Sequence, residues 1–97
     1  MEVTQTISGT LEKFDWIAPH AELKVAYLND QGAVQEVPVT TGSPAVISRQ
    51  GFKATDFLVG SKVTMSWHPN RNGVLGGELA ELKLEGGRVL YGHGSAR

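Results

Sequence analysis

VTQTISGTLEKFDWI, residues 3–17, is the stretch on which the fold turns. Val3, Ile7, Gly9 and Leu11 fall at odd positions, whereas Phe14 and Trp16 fall at even ones. Side chains of a strand alternate strictly between two faces, so an apolar face changes parity only where a residue is inserted. A β-bulge at Glu12-Lys13 supplies that extra residue and predicts a long first strand that bends there.

The pattern continues on both sides of the next corner. Ala21, Leu23, Val25 and Tyr27 share one phase, and Asn29-Asp30-Gln31-Gly32 reads as a hairpin turn. A third strand over 33–41 carries Val37 and Val39, with Pro38 placing it at an edge or a bulge. Ser43 as N-cap, Pro44 as first helical residue and Gly51 just past the end delimit a helix of about two turns. Val63, Met65 and Trp67 then share a strand face. Pro69-Asn70-Arg71-Asn72-Gly73 forms a loop, residues 77–84 form another strand, and Gly86-Gly87 turns into a short one over Arg88 to Tyr91.

Three strands, one short helix, then two or three strands is the order of a small barrel of the oligonucleotide/oligosaccharide-binding (OB) type. The expectation is an all-β, OB-like barrel of five to six strands with the helix between strands three and four. It forms one domain over residues 1–91, with a loose tail over 92–97. Closure into a barrel also removes the exposed edges that so many short strands would otherwise leave.

Composition narrows the function classes. The 97 residues make one domain with a modest core. Forty per cent hydrophobic and 20% charged residues set the chain apart from disordered compositions. Nine Lys and Arg face ten Asp and Glu, and the basic residues are scattered along the chain, which disfavours nucleic acid as a partner. The absence of cysteine removes disulfides, a thiolate nucleophile and thiolate zinc ligands. No stretch has the length of a membrane span. The start Met-Glu-Val-Thr-Gln-Thr is no signal peptide, so the chain is expected to be cytoplasmic or to carry an initiator Met in place of an export signal.

Ser8-Gly9-Thr10-Leu11, Phe14-Asp15-Trp16 and Pro19-His20-Ala21 together resemble the opening of a family of small bacterial proteins known as domain of unknown function 6152. Gly42-Ser43-Pro44, Arg49-Gln50-Gly51-Phe52, Leu58 to Val63, and His68-Pro69 followed by Asn72-Gly73 fit the same pattern, and the resemblance spans roughly residues 8–91. It implies an exported, periplasmic protein, in a family whose members are not characterised enzymes. Two departures stand out: Ala18 sits where the family has Asn, and the His-rich stretch that opens many members is absent.

Several residues are candidates for a site. His20 is read either as a ligand at a barrel mouth or as a corner residue hydrogen-bonded to the backbone of Trp16-Ile17-Ala18; the structural role is favoured. His68 points away from the Trp67 face, beside a second Pro-bounded turn. His20 and His68, with His93 in the tail and Asp15 or Glu22 as an oxygen ligand, are the candidates for copper or zinc, although their spacing does not recommend a shared centre. Trp16 and Trp67, with Phe14 and Tyr27, offer ring faces for a flat ligand, against core packing as the plainer role. Arg71, with Asn70, Asn72 and Lys62, lies in or near a loop that flanks the binding face of OB barrels. Ser43, Ser48, Ser61 and Ser66 lack a nucleophile-elbow context, so no enzyme is expected. The expected function is a binding module for a small ligand or protein partner, with metal binding or single-stranded nucleic-acid binding as alternatives and no required cofactor.

Overall fold

In a computed structural model, which describes residues 4–92, the chain forms β1 (Gln5–Asp15), β2 (Glu22–Leu28), β3 (Val34–Thr40), α1 (Pro44–Arg49), β4 (Lys62–Pro69), β5 (Gly77–Leu84) and β6 (Val89–Tyr91). The neighbour order is β3-β2-β1-β4-β5-β6, and a parallel β3–β5 pairing closes the first five strands into a barrel. β6 is an added strand on β5.

The bulge in β1 lies where the parity change places it. Leu11 faces Val25 but Lys13 faces Lys24, so Glu12 is the extra residue. Before the bulge, Gln5 to Thr10 pair with β4; from Thr10 onward the strand pairs with β2. One strand thus serves two neighbours. A second bulge was not anticipated: Ser66 faces Glu81 but Trp67 faces Leu79, leaving Ala80 extra. That extra residue is why Leu79 and Leu82, three apart, are both buried.

The barrel interior holds Leu11, Leu23, Val25, Met65, Trp67 and Leu82, with Ile47 of α1 plugging it. α1 is capped as its sequence dictates. The Ser43 hydroxyl accepts from the Val46 N–H at 3.3 Å, Pro44 opens the helix, and Gly51 follows it at φ 90°. A single 3₁₀ turn over Ala54–Asp56 was missed; Asp56 accepts from the Lys53 N–H at 2.7 Å and sets it.

Pro38 sits on the free part of the β3 edge, immediately before Val39 and Thr40, the residues that pair with Gly77 and Glu78. The β6 edge is treated differently. Tyr91 turns its backbone away from β5, and the Gln50 carboxamide takes both groups: Nε2 donates to the Tyr91 carbonyl at 2.8 Å and Oε1 accepts from its N–H at 2.9 Å. Arg88 then ties the helix end to the 3₁₀ turn. It donates to the Gly51 carbonyl at 2.8 Å, stands 3.6 Å from Asp56 and lies 4.2 Å above the Phe52 ring.

Candidate functional site

Barrel closure brings five residues into one outward-facing row. Asp15 of β1 faces Glu22 of β2, Glu22 faces Thr40 of β3, Thr40 faces Glu78 of β5, and Glu78 faces His68 of β4. Directly opposed residues share a sheet face, so this row runs across the outside of the barrel.

Next to the row lies a groove of about 440 Å³. Glu22, Lys24, Pro38 and Thr40 give it the outer face of β2 and β3; Lys13 and Glu78 add to the lining from β1 and β5. Its other wall is the loop between β4 and β5, through Asn70, Val74 and Leu75. The bulge explains why Lys13 is there: with one residue inserted, it comes to stand opposite Lys24 on the outer face. Two ammonium groups directly opposed repel. Each is offset by its own carboxylate, Lys13 by Asp15 at 3.1 Å and Lys24 by Glu36 at 3.6 Å.

The loop wall is built by short-range bonds. Asn70 N–H donates to the Gly76 carbonyl at 3.0 Å, the Asn70 amide donates to the Val74 carbonyl at 3.2 Å, and the Asn72 side chain accepts from the Val74 N–H at 3.0 Å. Gly76, at φ 107°, lies so close to β3 that a Cβ would collide with the Pro38 carbonyl oxygen. The result is a fixed loop that leaves Val74 61% and Leu75 40% exposed, two apolar side chains facing solvent without an internal reason.

A larger hollow, about 560 Å³, lies on the β1–β4 outer face among Ser8, Thr10, Lys62, Thr64 and Lys83. Its hydroxyls partner each other across β1 and β4, as in the Ser8–Thr64 contact of 3.1 Å, and none of the exposed large apolar residues lines it. The smaller groove instead sets two exposed apolar side chains against charged and hydroxyl groups.

The residues singled out from sequence fare unequally. Trp67 is 2% exposed and belongs wholly to the core, so its ring has no face for a ligand. Trp16 is half-buried against an aromatic cluster: its ring centroid is 6.3 Å from both Phe14 and Phe57, and those two stack at 4.1 Å. The aromatics therefore serve one another. Tyr27 donates to Gln35 at 2.8 Å. Arg71 is exposed in the β4–β5 loop but does not line the groove; Val74 and Leu75 do.

His20 is exposed after the cis Ala18–Pro19 bond, and among the described residues it makes no hydrogen bond to the corner. The expected cap is not needed there. Ile17 N–H already donates to the Asp15 carbonyl and Ala21 N–H to the Gly42 carbonyl. His20 instead lines a hollow of about 230 Å³ with Thr41, Gly42, Val46 and Glu78. Glu78 is also the register partner of His68, so the two histidines border the same carboxylate residue, His20 from the β1–β2 corner and His68 from β4. Among the described residues no group of three or more His, Asp or Glu side chains is placed to hold a metal ion. His93 and the rest of the expected tail, 93–97, lie outside the described residues. No helix among the described residues is long and apolar enough to cross a membrane.

The fold is a small closed β-barrel of the OB type, with the groove on its β2–β3 side. The chain belongs to a family of unknown function (DUF6152), whose model matches residues 1–79, from the start of the chain into β5. No curated protein and no solved structure matches it significantly.

Proposed function

We propose that the protein is a non-catalytic binding module and that the groove between the β2–β3 face and the β4–β5 loop is its contact surface. The observation that carries this reading is the pairing of a hydrogen-bonded loop with two exposed apolar side chains, Val74 and Leu75, over a polar floor. A concave surface of several hundred Å³ that combines apolar wall and placed polar groups is the usual form of a ligand site. Its fixed geometry lowers the ordering cost of binding. Ion-paired lysines and surface carboxylates suit recognition by charge and shape rather than bond making. The family resemblance supports an exported setting. Copper or zinc at His20 and His68, and single-stranded nucleic acid, have less behind them: two imidazoles bordering one carboxylate make a sparse donor set, and unpaired acidic groups repel phosphate.

A fragment screen read by amide chemical shifts of the isotope-labelled full chain tests the proposal. Binding fragments should move Lys24, Thr40, Val74, Leu75 and Glu78 together. Hits confined to the β1–β4 face, or no hits at all, would remove this groove from consideration.

A further inference from the structure

The charge pattern of the groove narrows what it takes, and this step rests on the groove being the contact surface. Both lysines on this face already have a carboxylate, Asp15 for Lys13 and Glu36 for Lys24. The carboxylates that remain are different. Among the described residues neither Glu22 nor Glu78 enters an ion pair, and Glu12 at the bulge enters none either. Glu22 and Glu78 flank Thr40, one strand to each side, so two unpaired negative groups bracket a strip about 10 Å wide. Val74, Leu75 and Pro38 stand beside that strip.

The face does not end there. Along β2 and β3 the outward pairs run Glu22/Thr40, Lys24/Pro38, Ala26/Glu36 and Leu28/Val34. Leu28 and Val34 are each 68% exposed and line a second hollow of about 500 Å³, next to Ala26 and Glu12. Six residues of strand separate the first pair from the last, a run of about 20 Å. The surface therefore carries an apolar station near each end and, among the described residues, acid outside any ion pair at the groove and at the bulge. A small molecule spans one station. An extended chain of about seven residues spans both.

We propose that this face receives an extended segment of a partner polypeptide in which a lysine or arginine neighbours an apolar residue, the cation meeting Glu22 and Glu78 and the apolar side chain packing on Val74 and Leu75. The charge attraction acts at the surface, so its share of the binding weakens as salt is raised, whereas the apolar contact does not.

The test is selection from a displayed library of random peptides about seven residues long, run on the full chain, followed by affinity measurements on Glu22→Gln/Glu78→Gln and Val74→Ser/Leu75→Ser. All four positions are exposed, and thermal unfolding checks that both variants stay folded. Selected peptides should be enriched in Lys or Arg next to an apolar residue. Their affinity should fall about five- to tenfold in the carboxamide variant and about tenfold in the serine variant. Acidic or uncharged selected peptides, unchanged binding to Glu22→Gln/Glu78→Gln, or a library that yields no binder would each overturn the inference. Fragments still seated in the groove would then leave the binding reading standing; fragments and peptides both absent would remove the two together.

Discussion

The two outer faces of the barrel share strand β1 and handle their polar groups in opposite ways. On the β1–β4 side, hydroxyls stand opposite hydroxyls and satisfy one another: Thr6 meets Ser66 at 2.8 Å and Ser8 meets Thr64 at 3.1 Å. On the β2–β3 side, Glu22 and Glu78 stand beside a neutral Thr40, and the loop holds Val74 and Leu75 out in solvent. On the first face the hydroxyl pairs satisfy one another. The second keeps carboxylates outside any ion pair among the described residues and two apolar side chains in solvent.

The comparison breaks most completely where both faces depend on one residue. Trp67→Ala removes the largest core side chain and should destabilise the barrel by about 3–5 kcal/mol in chemical unfolding, with both faces lost together. Gly76→Ala is more selective. It puts a Cβ against the Pro38 carbonyl at a backbone angle unfavourable to L-residues, and should cost about 2–3 kcal/mol. Its amide-shift changes should concentrate at the β4–β5 loop and β3, leaving the hydroxyl face in place. Gln50→Ala leaves the Tyr91 backbone groups without their carboxamide partner and should cost about 1–2 kcal/mol, read as a lower melting temperature with faster amide exchange in β6. The mildest change sharpens the contrast. Thr6→Ala/Ser66→Ala deletes an exposed hydroxyl pair and should shift stability by less than about 0.5 kcal/mol, with fragment binding at the groove unaltered. A loss of groove binding in that variant would mean that the two faces are not independent.

Much of the framework was legible because it depends on local order. The parity change between Leu11 and Phe14 placed the first bulge, and Ser43-Pro44 with Gly51 placed the helix. The second bulge left a comparable trace, the three-residue spacing of Leu79 and Leu82, which a strand of strict period two cannot bury on one face. The 3₁₀ turn hung on Asp56 reaching back to Lys53, a signal shared with many ordinary turns. The site was legible only in fragments. The β4–β5 loop was singled out and does wall the groove, yet through Val74 and Leu75, the apolar pair inside an otherwise polar loop, and not through Arg71. The Glu22–Thr40–Glu78 row joins residues far apart in the chain and exists only because β3 closes on β5 in one register; local periodicity carries no information about that register. Core packing was the plainer reading of the aromatics, as Trp67 bears out, but nothing in the sequence announces that Phe14 stacks on Phe57.

The side chain of Gln50 has a role in solution that its small energetic share understates. An unpaired terminal strand is a template on which identical molecules add end to end into ribbons. By occupying both backbone groups of Tyr91, the carboxamide that follows α1 fills the place a neighbouring strand would take at that residue.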